Sequence, residues 1–169
     1  LRANQRVAGV AIRNANDGIS TIAIADSALG EIGNVLSRLA ELAQQSANGV
    51  FSVTQRSALS NEFVALGSEI ERIAVTTEFN GVKLLSGNSA VVLQVGFNST
   101  STSQISYTGV QGTLAALGLA NTNASAMSFS LNGVSLVEGQ SSSRLALDAV
   151  NSAIQSLAST RGTLGAAQS

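Results

Sequence analysis

From Ile12 to Ala43 this 169-residue chain sets an apolar residue at nearly every third or fourth position, and no proline occurs anywhere to stop a helix. Ile12, Ala15, Ile19, Ile22, Leu29, Ile32, Leu36, Leu39 and Ala43 follow the spacing that keeps side chains on one face of an α-helix, with only Asp26 breaking the stripe. The stripe runs straight through Arg13 to Ser20 (RNANDGIS), whose Asn, Asp and Gly composition belongs to a turn. Something other than local propensity must therefore favour the helix there. A helix of about forty residues exceeds the usual globular length and reads as a rod or coiled coil.

Composition narrows the chemistry. Apolar residues make up 44% of the chain, ample for a core, while nine Lys plus Arg against ten Asp plus Glu leave a net charge of -1. That balance gives no electrostatic footprint for nucleic acid or an anionic membrane. No run approaches eighteen consecutive apolar residues, so membrane insertion is not expected, and Leu1 to Arg6 do not read as a signal peptide. Export is expected to use another signal. The chain has no Cys and no His, which removes thiol nucleophiles, histidine triads and the usual zinc sites. Glu69 and Glu71 lie about 200° apart on a helix and cannot face one substrate as a carboxylate pair. The glycines are scattered and form no phosphate loop. Neither enzyme activity, metal nor cofactor is expected. The chain starts without Met and ends within a helical pattern, and is read as trimmed at both ends.

Organisation follows from periodicity. A first helix is expected from Gln5 to Ala47, with a turn at Asn48-Gly49. Ser52 and Gln55 then have the spacing of a capping box. The second helix carries Leu59, Phe63, Leu66, Ile70 and Ile73 at intervals of four and three and ends near Thr77. Glu78 to Gly87 reads as loop, with Asn80-Gly81 and Ser86-Gly87 as turn pairs. Alternation at Val91, Leu93, Val95 and Phe97, and again at Ile105 and Tyr107, predicts a β-hairpin. Phe129, Leu131, Val134 and Leu136 flank Asn132-Gly133 and predict a second hairpin with a type I′ turn. Helical spacing resumes at Leu147, Val150, Ile154, Leu157 and Leu164, with Arg161 at an apolar position. The expected fold is mainly α: an elongated coiled-coil-like bundle of three long helices, two N-terminal and one C-terminal, with an inserted β-hairpin segment. Residues 1–87 and 140–169 would form the rod, and 88–139 the hairpin and a short variable outer segment. Its core would be Ile22, Leu29, Ile32, Leu36, Leu39, Leu59, Phe63, Leu66, Ile70, Ile73, Val150, Ile154, Leu157 and Leu164.

Six segments, in order, resemble bacterial flagellin, the filament subunit, and specifically its helical middle domain: Arg13 to Ser20, Ala28 to Asn34, Glu41 to Asn48, Phe79 to Leu85, Gln94 to Gly96 and Arg161 to Gln168. The resemblance implies a long helix, a second helix, a hairpin segment and a returning C-terminal helix, and it keeps the Arg13 to Ser20 run helical. It also implies other flagellin subunits as partners, an extracellular filament as location, and export without a cleaved signal. The terminal helices that line the family's filament channel are missing, so this piece by itself is not expected to polymerise. Phe129 to Leu136 looks distantly like the family's insertion motif.

One polar face carries the candidate site. On a helical wheel Glu31, Asn34, Arg38, Glu41, Leu42 and Gln45 fall within about a 100° arc, away from the Leu29, Ile32, Leu36, Leu39 stripe. They are expected to share an exposed face, with Leu42 as its apolar centre beside Arg38. By the resemblance, Arg38, Leu42 and Glu62 match positions that contact the Toll-like innate immune receptor, with Glu41 and Gln45 beside them. Ala40 and Gln44 stand where receptor-activating relatives carry Arg and a β-branched residue. Asn98-Ser99-Thr100 and Asn123-Ala124-Ser125 match the N-glycosylation pattern and read as exposed loops. The alternatives to a filament subunit are a flagellin-like surface adhesin or polysaccharide binder, and a hook-filament junction protein. With one Tyr and five Phe, the chain is poor in aromatic platforms for sugar.

Overall fold

The computed structural model describes residues 2–87, 90–94, 103–107 and 110–168. Val95, Gly96, Phe97 and the Asn98 to Thr100 pattern lie outside them. Three helices dominate, α1 (Arg2–Ala47), α2 (Val53–Thr76) and α3 (Leu136–Gln168), with two small antiparallel hairpins between α2 and α3. At about 1.5 Å per residue α1 is roughly 70 Å long, which makes the molecule a rod.

Tertiary contacts hold the turn-like run of α1 in the helix. The Asn14 side-chain amide donates to the Gln94 carbonyl on a hairpin strand at 2.9 Å, and Gly18 is buried. Ser20 and Thr21 return hydroxyl bonds to the carbonyls of Asn16 and Asp17. The turn-forming side chains are thus spent on partners the helix itself presents.

The second helix starts as the sequence predicts. The Ser52 hydroxyl accepts from the Gln55 N–H while the Gln55 side chain accepts from the Ser52 N–H at 2.9 Å, a complete capping box. α2 ends at Thr76, where the Thr77 N–H and hydroxyl both donate to the Ile73 carbonyl. The segment read as loop contains a minimal hairpin, β1 (Glu78–Phe79) against β2 (Val82–Lys83). Its turn is Asn80-Gly81, both at positive φ, 49° and 78°, as a type I′ turn requires. The expected larger hairpin is present as β3 (Val91–Gln94) and β4 (Gln104–Tyr107), in register from Val91 opposite Tyr107 to Gln94 opposite Gln104.

The second predicted hairpin does not form. Residues 129–135 are irregular, and α3 begins at Leu136, four residues ahead of the expected rod segment. Neither Asn132 nor Gly133 has positive φ. Gly133 instead packs its backbone on the first turn of α3, where an added Cβ would lie 2.3 Å from the Gly139 nitrogen. Ser135 caps that turn by accepting from the Glu138 N–H, and the Glu138 carboxylate accepts from the Val134 N–H. Capping the third helix outcompetes pairing Val134 with Leu131.

The core is a continuous seam. Ile22, Leu29, Ile32, Leu36, Leu39, Phe63, Ile70, Ile73, Val150, Leu157 and Leu164 are buried, and Leu59, Leu66 and Ile154 pack against them half-buried. α3 runs antiparallel to α1, with Arg161 beside Asp26 at one end and Ser143 bonded to Ser46 at the other. The segment 110–131 adds Val110, Leu114, Leu117, Leu119 and Leu131 to the same core. Gly112 permits this crossing, since a Cβ there would lie 2.8 Å from Ile32 Cδ1. Ile12 and Ile19, which the stripe includes, are instead 63% and 48% exposed. α1 has the length and mean hydropathy of a membrane-crossing helix, but its largest apolar residues from Leu29 to Leu42 are enclosed by α2, α3 and the crossing segment.

Candidate functional site

Arg38 on α1 is the centre of the predicted face. Its Nε and Nη2 donate to one oxygen of Glu62 on α2, at 3.0 and 2.9 Å, and its Nη1 donates to Glu41 one turn ahead at 2.9 Å. The three side chains are about half exposed or more, 48%, 45% and 67% in the order Arg38, Glu62, Glu41. The bonds to Glu41 and Glu62 raise the guanidinium pKa further, so Arg38 is a permanent cation tied across the α1–α2 seam. Two carboxylates around one cation make this patch net acidic.

Gln45 is exposed, as expected, but it forms the rim of a different feature. A cleft of about 590 Å³ opens near the end of α1, lined by Gln44, Gln45, Asn48, Phe51, Arg144 and Leu147. Arg38, Glu41 and Glu62 are therefore one bonded cluster, and Gln45 stands beyond it toward α3.

Leu42 departs from the sequence reading, being fully buried. It lies about 40° from Arg38 around α1, on the side of Leu39. A single coiled-coil partner would cover only the narrow Leu29 to Leu39 stripe. Here α1 is enclosed by both α2 and α3, so the buried arc widens and takes in Leu42. The exposed face has no apolar centre at this position.

Two features escaped the sequence reading although a signal was present. Asp26 and Arg161 each interrupt an apolar stripe, and they meet: Arg161 Nε and Nη2 donate to the two carboxylate oxygens at 2.8 and 3.0 Å. The Arg161 hydrogen bonds hold the Asp26 carboxyl below its ordinary value, against a smaller opposing effect of burial. The two interruptions are one bidentate clamp between α1 and α3. Arg56, one residue past the capping box, is 1% exposed and enters the rod's end, with no advance sign beyond its place in the first turn of α2.

The two glutamates set aside as a catalytic pair have separate partners. Glu69 forms a bidentate pair with Arg72, which lowers its carboxyl pKa, and Glu71 accepts from the Leu114 N–H at 2.9 Å. Asn123, of the second glycosylation pattern, is exposed in a turn at φ 64°.

A three-helix antiparallel rod, closed by an apolar seam and clamped by exposed ion pairs, is the architecture of a helical structural protein. The model of the bacterial flagellin N-terminal helical region matches residues 1–90, and the chain belongs to the bacterial flagellin family. It is 48% identical over 100 residues to flagellin A of Vibrio cholerae, covering 59% of this chain and 26% of that protein. Against polar flagellin A of Vibrio parahaemolyticus it is 40% identical over 119 residues, covering 70% of this chain and 32% of the relative. The chain thus spans about a quarter to a third of these relatives. Among solved structures, Bacillus cereus flagellin superposes with a TM-score of 0.72 at 26% identity, over 92% of this chain and 82% of that one. FliC from Burkholderia pseudomallei shares the fold, with a TM-score of 0.65 at 19% identity over 89% and 98%.

Proposed function

We propose that this chain is the rod portion of a flagellar filament subunit, a non-enzymatic structural protein that works outside the cell by packing side by side with further copies. The observation that carries this reading is the family match over residues 1–90 together with a flagellin fold over 92% of the chain. The rod suits that role because its seam is satisfied internally, which leaves polar faces and the exposed Val7, Val10, Ile12 and Ile19 of α1 for lateral contact. Deleting the parent gene tests the proposal. Loss of filaments in electron micrographs and of swimming, both restored by the intact gene, is expected; normal filaments that contain no trace of this protein sink it.

A second reading concerns the Arg38 cluster. We infer that the Toll-like receptor ectodomain engages the exposed Arg38, Glu41 and Glu62, with Gln45 at the margin. What supports it is their grouping as one accessible patch across the α1–α2 seam. Binding of the chain to the receptor ectodomain should weaken in Arg38→Ala and Glu62→Ala at unchanged thermal midpoint. Leu42→Ala is a stability control, since Leu42 faces the core. No saturable binding by the parent chain, or equal binding by all variants, removes the reading.

A further inference from the structure

Arg56 is an anomaly among the arginines. Arg38, Arg72 and Arg161 are exposed and ion-paired, whereas Arg56 is 1% exposed and lacks a carboxylate partner among the described residues. Its Nη2 donates to the Asn48 carbonyl at 2.9 Å, but its Nε and Nη1 are buried with no acceptor. A buried charge with unmet donors is costly, and native proteins answer such groups with water or an ion.

The surroundings bear on which. The Asn48 carbonyl, just past the end of α1, offsets part of the charge. Against it, the first turn of the 33-residue α3 brings the positive end of a helix dipole to the same junction. Glu138 in that turn is exposed, and its Oε2 accepts from the Val134 N–H. Gly139 lies against the arginine: a Cβ there would be 2.8 Å from Arg56 Cδ and 3.2 Å from Nε. The missing methyl leaves a gap beside an unpartnered donor, and a gap of that size suits a single atom better than a tetrahedral oxyanion.

We propose that Arg56 holds a buried monatomic anion, chloride in ordinary media, at the junction where α1 ends and α2 and α3 begin. The anion accepts from Nε and Nη1, neutralises the guanidinium and lies in the favourable field of the α3 N-terminus. It links the rod's three helices at a point where protein groups leave donors unmet.

Crystals of this chain grown with bromide in place of chloride test the assignment without any variant. An anomalous bromine peak beside Arg56 Nε and Nη1 is expected; a water there, or an empty site, overturns it. In solution, replacing chloride by gluconate at constant ionic strength should lower the thermal midpoint of the parent chain and leave Arg56→Met unchanged. A parent midpoint indifferent to halide, or an equal response in Arg56→Met, also overturns the proposal. Arg56→Lys, which keeps the charge but not the fork, should lose most of the halide response.

Discussion

Gly30 and Gly67 are both interior helix glycines, and the space around them predicts different outcomes for the same substitution. A Cβ at Gly30 meets nothing within 4 Å, so Gly30→Ala should stabilise the monomer by about 0.5–1 kcal/mol through backbone entropy. At Gly67 the Cβ would lie 2.6 Å from Met127 Cε and 3.4 Å from Met127 Cβ, so the side chain that fills this notch must withdraw. Gly67→Ala should therefore gain less than Gly30→Ala or lose stability outright, and equal urea midpoints for the two variants would remove Met127 from the notch. The Asp26–Arg161 clamp is the second residue-scale test. Both side chains are over 40% exposed, so a double-mutant cycle of Asp26→Asn and Arg161→Gln should return only about 0.2–1 kcal/mol. Because the Asp26 pKa is depressed in the folded state, from an ordinary 3.8, the clamp's contribution is complete above that value and is lost as pH falls through the folded one. Cycles measured at pH 7 and near pH 2 should differ, with the coupling absent at the lower pH.

The segment between the hairpins and α3 shows what an element needs when it has no periodicity of its own. Leu114 and Leu131 are buried in the rod's seam, and each anchors its backbone N–H on a polar group of α2, Glu71 and Ser60 respectively. These bonds join residues 43 and 71 positions apart, and nothing local in the sequence announces them. The helices were legible because a 3.6-residue period records burial on one side of one element. Leu42 was not, because the width of a buried arc depends on how many partners surround the helix. The Asn132-Gly133 hairpin was misread for a related reason: the same dipeptide also serves close packing on a helix start, and the fold chooses between the two. Glu71→Ala removes the acceptor of the Leu114 N–H and should cost about 1.5 kcal/mol. Hydrogen exchange should rise around residues 112–119 while α1 and α3 stay protected, and Glu71→Gln, which keeps an acceptor oxygen, should restore much of the protection. Uniform exchange changes across the rod would mean that this segment is not held through Glu71.

At the scale of the whole molecule, burial is distributed unevenly along the long axis. Leu29, Ile32, Leu36 and Leu39 are fully buried, while Val7, Val10, Ile12 and Ile19 of the same helix are 43–63% exposed. The antiparallel pairing that places Arg161 beside Asp26 brings the end of α3 close to Ile19, so the first turns of α1 run on with the hairpin rather than a helix for company. A helix segment without a packed face is marginal in water, whatever its propensity. Native-state hydrogen exchange should therefore show a gradient along α1, weak protection over residues 5–13 rising to protection near the global stability over residues 29–43. Leu36→Ala, which opens a cavity at the centre of the seam, should cost about 2–5 kcal/mol and lower the protected plateau. It should leave the already fast amides of residues 5–13 almost unmoved, because they open without unfolding the rod. If those amides instead slowed and quickened together with the centre, α1 would be one cooperative unit from end to end. The exposed isoleucine and valine residues would then owe their order to the rod itself rather than to contacts made on assembly.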